Sequence, residues 1–301
     1  MKILFLWPDS ESYWAKKMKK KGIDVDDAFY NYGLIYGAIR KCFAINNICL
    51  HEMLGAWKYK IFQYDVIFIQ ASRITVYIPS YLREKGYKGR VIYWYWDPVS
   101  GSVNPTKIAN GLSEKWTFDK EDSLKYNLLF NDTFFLFDEK DEIVEDIEND
   151  ILFIGRDKGR LFYLEKMREV FSKIDVRCNF YIVPTKPYSL NAKKLKKPLS
   201  YDRVLQMVSK SNILLDITQN NQSGLSQRCM EALYFNKKII TNNEYITGYS
   251  FYTQDMVYIL KKEIDEESLI RFINKKNVGY PMELKRYYSF ESWLERICRG
   301  N

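Results

Sequence analysis

Short apolar runs closed by polar residues alternate with helical patterning along both halves of the chain, as parallel α/β sheets require. In the first half, Lys2–Trp7 (KILFLW), Tyr64–Gln70 (YDVIFIQ), Arg90–Asp97 (RVIYWYWD) and Lys115–Asp119 (KWTFD) read as strands buried on both faces. Between them, Ala28–Cys42 places Phe29, Tyr32, Tyr36 and Ile39 at helical spacing, and Tyr77–Lys85 predicts a shorter helix. An acidic stretch follows, and the alternation then restarts with Asp150–Asp157 (DILFIGRD) and a helix carrying Leu161, Leu164, Met167, Val170 and Phe171 on one face. Next come a strand at Val176–Val183, a Pro- and Lys-rich loop to Leu199, and a helix from Ser200 with Val204, Leu205 and Val208 inward. Asn212–Thr218, a turn with glycine, a helix over Gly224–Phe235 and a strand at Lys237–Asn243 complete this half. Phe290, Trp293, Leu294 and Ile297 fall at i, i+3, i+4 and i+7 on a last helix. The pattern predicts an α/β protein of two Rossmann-like domains facing a cleft, divided as 1–146, 147–285 and a closing helix at 286–301.

Charge sharpens that division. Asp138–Asp150 holds eight acids and one lysine, a local charge of −7 that leaves +15 on the rest of a chain whose net charge is +8. The densest basic pieces are Lys16, Lys17, Lys19, Lys20 and Lys21, beside Trp14 and Met18, and then Lys193, Lys194, Lys196 and Lys197. Such clusters serve as solvated faces, or meet phosphorylated substrates, anionic lipid or nucleic acid. Trp14 among lysines suits the inner face of a membrane, whereas no RNP-type, helix-turn-helix or zinc-finger pattern supports nucleic acid. The chain has one histidine, His51, which excludes a His-rich metal site and reads as structural. The five cysteines (Cys42, Cys49, Cys178, Cys229, Cys298) lack CxxC spacing and fall mostly in apolar runs, the pattern of a reduced cytosolic protein. No run of about 18 apolar residues is present to span a bilayer, and MKILFLWPDS reads as a buried first strand rather than a signal peptide.

Two strand ends in the second half suit an anion. Gly155-Arg156-Asp157-Lys158-Gly159-Arg160 combines glycines, which allow close backbone approach, with three basic side chains; it reads equally as a turn with surface basics. The stretch from Gln219 through Ser223, Gly224, Leu225, Ser226 and Arg228 opens a helix whose free amides and dipole form an anion site. Glu231 lies in that helix, where it either pairs with Arg228 three residues before it or accepts the two hydroxyls of a ribose.

DILFIGRDKGR, SNILLDITQNNQSGLSQRCMEALYFNKKIITNN and WTFDKEDSLKYN together resemble bacterial polysaccharide and lipopolysaccharide biosynthesis proteins with the GT-B glycosyltransferase fold. The likeness is strongest over Asp150–Tyr252. It implies an N-terminal acceptor-binding domain, a C-terminal domain that binds a nucleotide sugar, and a last helix packing back on the N-terminal domain. Carried over, Arg156 and Ser223 to Ser226 contact the diphosphate, Glu231 the ribose, and Pro184 and Tyr188 flank the base. One departure is plain: many retaining members carry a second glutamate seven residues before the helix glutamate, and Gly224 stands there.

An acceptor site of this kind lies at the ends of Lys2–Trp7 and Arg90–Asp97, where a carboxylate serves as base. Asp9 is the first candidate, with Asp97 and Glu11 behind it; Asp97 also reads as the cap of the turn at Pro98, and Asp119 as a helix cap. The expectation is a metal-independent hexosyltransferase, without a cofactor, that uses a nucleoside diphosphate sugar, UDP-sugar first, as co-substrate. Its acceptor is a cell-surface glycan, lipid-linked, reached from the cytoplasm at the membrane periphery. The alternative is a non-catalytic nucleotide- or glycan-binding subunit of a polysaccharide assembly complex.

Overall fold

A computed structural model describes residues 1–31, 33–45, 51–137, 146–185, 195–219 and 222–299. The chain forms two compact units, Met1–Asn131 and Asp132–Asn301.

The first unit runs β1 (Ile3–Trp7), α1 (Tyr13–Lys20), β2 (Asp24–Asp27), α2 (Leu34–Ile45), β3 (Val66–Gln70), α3 (Ile78–Glu84), β4 (Arg90–Tyr95), β5 (Glu114–Thr117), α4 (Lys120–Tyr126) and β6 (Leu129–Phe130). Its six strands are parallel in the order β2-β1-β3-β4-β5-β6. Leu4, Leu6, Ile67, Ile69, Tyr93 and Tyr95 from the central strands meet Trp57, Ile78 and Leu82 in one core. The helix expected from Ala28 begins only at Leu34. Asp24–Asp27 instead forms an edge strand in register with Leu4–Trp7, and Phe29 bridges to Leu54. Its alternation is carried by one buried residue, Val25, among aspartates, a composition that suits an edge strand and hides it from a search for apolar runs. Tyr36 and Ile39, which stand at helical spacing, are exposed.

The second unit runs β7 (Asn149–Arg156), α5 (Leu161–Lys173), β8 (Cys178–Val183), α6 (Tyr201–Ser209), β9 (Ser211–Asp216), α7 (Gln227–Tyr234), β10 (Lys238–Thr241), β11 (Val257–Ile259), α8 (Glu266–Asn274), α9 (Met282–Tyr288) and α10 (Phe290–Arg299). The sheet is parallel, in the order β11-β10-β9-β7-β8. Ile151, Phe153, Ile213 and Leu215 from the sheet pack against Leu164, Met167 and Phe171 of α5, the face expected of that helix. β11, α8 and α9 were not among the expected elements.

This unit begins at Asp132, ahead of the acidic stretch that suggested a boundary near 147. Phe134 packs against Trp293 (4.4 Å between centroids) and Phe290 (5.2 Å). The Phe135 amide donates to the Tyr288 carbonyl at 2.9 Å, and the Phe290 amide to the Phe135 carbonyl at 3.1 Å. These partners of α10 belong to the second unit, on a segment that the sequence pattern assigns to the first. The acidic residues 138–145 lie outside the described residues.

Candidate functional site

In a parallel sheet the loops that meet ligands leave the carboxyl ends of the strands, and the crevice opens where strand order reverses. In the second unit that point is the β7/β9 pair, since β8 lies on one side of β7 and β9 on the other. The turn after β7 and the loop after β9 are therefore neighbours, and the Arg228 guanidinium joins them by donating to the Ile154 carbonyl at 2.8 Å.

The expected helix starts three residues later than Gly224. Ser226 is its extended cap, and its hydroxyl accepts from the Arg228 amide at 3.1 Å. Ser223 and Leu225 are buried, and the Ser223 and Gly224 carbonyls accept from the Asn243 side chain at 3.2 and 3.4 Å. The loop is thus pinned from the end of β10, by a residue that sequence reading passed over. Gln222 donates its amide to the carbonyl of Gln219, which is half-buried. Among the described residues the Gln227 side-chain nitrogen, a donor at the helix start, is buried without a hydrogen-bond partner. Leaving such a group unmatched costs about 1–3 kcal/mol, so it marks a place for an acceptor.

For Glu231, the sequence left an ion pair and a ribose contact open. The side chain is 1% exposed, and one oxygen pairs with Arg228 while the other accepts from the Tyr201 hydroxyl at 2.6 Å. Tyr201 was not anticipated, because no local spacing links α6 to α7. Below the pair, Asp216 ends β9. Burial pushes its carboxyl up, against the pull of the Ser226 hydroxyl and the Arg228 and Arg160 charges. Thr241 approaches the same carboxylate at 3.3 Å. Burial also lowers the Arg228 guanidinium, which Asp216 and Tyr201 oppose.

The turn after β7 is tied to the end of β8. Lys158 and Gly159 take left-handed conformations (φ 42° and 78°), which bends the chain back. Asp157 accepts from the Thr185 amide at 2.6 Å and from the Thr185 hydroxyl, whose oxygen in turn accepts from the Lys158 amide at 2.7 Å. Burial works against the Asp157 carboxylate, but these bonds from Thr185 and Lys158 prevail and hold it below the usual range. Arg156 donates to the Pro184 and Thr185 carbonyls at 3.5 and 3.1 Å, and Arg160 to the Arg156 carbonyl at 2.6 Å. Arg156 and Arg160 thus brace the turn as well as charging it; Lys158 is exposed and Gly155 half-buried. Tyr188 lies outside the described residues, as do Asn220 and Asn221.

In the first unit, Asp9 is exposed at the exit of β1. One of its oxygens accepts from the Glu11 amide at 2.9 Å, and its carbonyl from the Ser12 amide at 3.1 Å. Asp27, at the end of β2, accepts from the Ser10 amide at 2.6 Å and stiffens the same turn. Glu11 is paired with Lys16 (3.6 Å) and Lys19 (3.4 Å). Asp97 is exposed with no partner among the described residues; the turn it was read to cap is held by Asp122, which accepts from the Val99 amide at 2.7 Å. Asp119 caps α4, as expected.

The basic cluster of α1 is partly internal. Trp14 packs edge-on against Trp96 (5.6 Å), which also meets Trp7 (5.2 Å), and Lys17 is buried with its ammonium 5.2 Å from the Tyr13 ring centre. Among the described residues, the most exposed aromatics of this unit are Tyr59 and Phe62, at 77% and 72%. His51 packs against Tyr81 at 4.9 Å. Cys42 is exposed, whereas Cys229 is buried. Among the described residues no group of three His, Cys, Asp or Glu side chains is placed to hold a metal ion, and no helix is long and apolar enough to cross a membrane.

No protein-family model matches the chain, and no curated protein matches it. Solved structures do. Sucrose-phosphate synthase from Thermosynechococcus elongatus is 9% identical, with 99% of this chain and 98% of that one covered at a TM-score of 0.57. The lipopolysaccharide outer core galactosyltransferase WaaB is 12% identical over 99% and 98% of the two chains, at 0.55. AviGT4, a glycosyltransferase involved in avilamycin A biosynthesis, is 11% identical over 99% and 96%, also at 0.55. At such identities the shared property is the fold, the two-domain α/β architecture of the GT-B type.

Proposed function

We propose that this chain, built on the GT-B fold, is a glycosyltransferase that takes a sugar from a nucleoside diphosphate donor, UDP-sugar first, held on its second unit. The observation that carries the reading is the start of α7. A capped helix terminus, a buried unused donor on Gln227, and the Arg160 and Arg228 charges stand together at the strand-order reversal. In that role the helix dipole and guanidinium groups offset the charge that develops on the leaving diphosphate. Gly155, Arg156 and Lys158 would shape the phosphate side of the site. Asp9 is the proposed base toward an acceptor hydroxyl, and the acceptor a lipid-linked cell-surface glycan.

Calorimetric titration of the full chain with UDP and GDP tests the donor reading. One of them is expected to bind, and Gln227→Ala to weaken it about tenfold or more, since a hydrogen bond to a charged acceptor contributes about 1.5–3 kcal/mol. Binding of neither nucleotide by the wild-type chain overturns it. A non-catalytic nucleotide-binding subunit is the second reading, favoured by the engagement of both Glu231 oxygens and by Gly224 in place of a second glutamate. Donor binding without release of free nucleotide, in a donor panel supplied with membrane extract, selects it.

We place the membrane-facing surface at Tyr59 and Phe62 with Lys58 and Lys60, rather than at α1. Exposed rings among lysines suit anionic headgroups. In co-sedimentation with phosphatidylglycerol vesicles, the Tyr59→Ser/Phe62→Ser variant is expected to lose at least four-fifths of the bound fraction, and unchanged retention rejects this surface.

A further inference from the structure

The second unit holds a cavity of about 900 Å3 that no residue of the α7 start or of the turn after β7 lines. Its walls come from two segments, Ser250–Thr253 ahead of β11, and Val278–Pro281 with Glu283, Leu284 and Tyr287, which lead into and through α9. The volume is within the range of pockets that enclose small ligands, roughly 300–1,000 Å3.

The chain builds this cavity deliberately. Gly279 turns at φ +71°, where a Cβ would come within 3.3 Å of the Asn236 side-chain oxygen. That oxygen accepts from the Tyr280 amide at 3.1 Å, so the turn is anchored to the end of α7. Tyr280 then stacks on Phe251 (5.0 Å, 25°), and Tyr287 is fixed as a wall by its hydroxyl, which donates to Asp132 at 2.7 Å. Tyr252 is half-buried at the rim.

The polar groups of the lining decide the ligand. The Tyr280 hydroxyl has no accessible surface and takes no part in the lining. Glu283 is exposed and has no ion-pair or hydrogen-bond partner among the described residues, and Ser250 and Thr253 add hydroxyls. Among the described residues no lysine or arginine lines the cavity, so a phosphate or carboxylate would meet only the Glu283 charge. A lipid chain would satisfy the rings and leave Glu283 and the hydroxyls of Ser250 and Thr253 unmatched. An organic cation would use Glu283 and the rings but none of the hydroxyls. A neutral sugar uses every part: its C–H faces lie on the Tyr252 and Tyr287 rings, and its hydroxyls reach Ser250, Thr253 and the Glu283 carboxylate.

We propose that this cavity is a second saccharide-binding site, for a neutral oligosaccharide, separate from the nucleotide site. It rests on the lining alone and stands apart from the identity of the donor.

The test is saturation-transfer NMR followed by calorimetry on the full chain. The probes are neutral oligosaccharides (maltotriose, cellotriose, chitotriose, mannotriose, galactotriose), with choline and trilysine as cation probes and UDP as the control for the other site. At least one trisaccharide is expected to bind wild type and to bind Tyr252→Ala and Glu283→Gln at least fivefold more weakly, while the UDP titration and melting temperature stay unchanged. Three outcomes overturn the proposal: no trisaccharide binds, binding is the same in both variants, or only choline or trilysine responds. Trisaccharide binding without UDP binding defeats the donor reading and leaves this one standing.

Discussion

Glu231→Ala is expected to lower the stability of the protein by about 3–5 kcal/mol, the cost of removing one partner from a buried ion pair. Arg228 is 14% exposed and Glu231 1%, so water cannot replace the lost carboxylate, and the Tyr201 hydroxyl loses its acceptor as well. Glu231→Gln keeps an oxygen for Tyr201 and should cost less. Glu231→Ala combined with Arg228→Met should recover part of the loss, because the orphaned charge goes with the second substitution. Urea denaturation of the four proteins checks this, and equal midpoints for Glu231→Ala and Glu231→Gln would show that the pair does not hold α7. The glutamine variant also separates two roles in the same protein. Retention of UDP affinity within threefold makes Glu231 a positioning residue for Arg228, whereas a loss beyond tenfold makes it a ribose ligand that exchanges Tyr201 for the sugar.

Asp9→Asn is expected to reduce kcat by about 10²–10⁴, the range for losing a general base, and to leave UDP binding alone. Asp9 is preferred to Asp97 because its turn is organised in advance. The Ser10 amide is held by Asp27, the Glu11 amide by one Asp9 oxygen and the Ser12 amide by the Asp9 carbonyl, which leaves the second Asp9 oxygen for a hydroxyl. Nothing comparable fixes Asp97, and a catalytic group must be held to within a fraction of an ångström. Glu11 is committed to two lysines, so Glu11→Gln should keep kcat within about threefold under the same criterion. Single-turnover transfer from radiolabelled donor to membrane acceptor measures all three, and full activity in Asp9→Asn with loss in Asp97→Asn moves the base to the end of β4.

The sheets were legible because a strand buried on both faces cannot avoid a continuous apolar run: Lys2–Trp7 and Lys237–Asn243 contain the strands they announced, and Asp150–Asp157 all of its strand but Asn149. β2 was missed for the opposite reason, since an edge strand of aspartates carries one buried residue and no run. The same limit applied to the site. Gly224, Ser226, Arg228 and Glu231 lie on one local segment, where spacing speaks. Tyr201 and Asn243 reach that segment from other elements, as Thr185 reaches the turn after β7, and only the tertiary fold brings them there. The Glu231 pair was written in its i, i+3 spacing, but not the Tyr201 hydroxyl that occupies its other oxygen.

The pairing of Phe134 and Phe135 with Ser289, Phe290 and Trp293 makes the second unit a closed ring in sequence: its first residues and its last helix are stitched side by side. Removing α10 is therefore not a peripheral edit. It unbuttons the collar through which the chain enters this unit, so a proteolytic nick within α10 and a gene boundary drawn at 147 rather than 132 would injure the protein in the same way, from opposite ends.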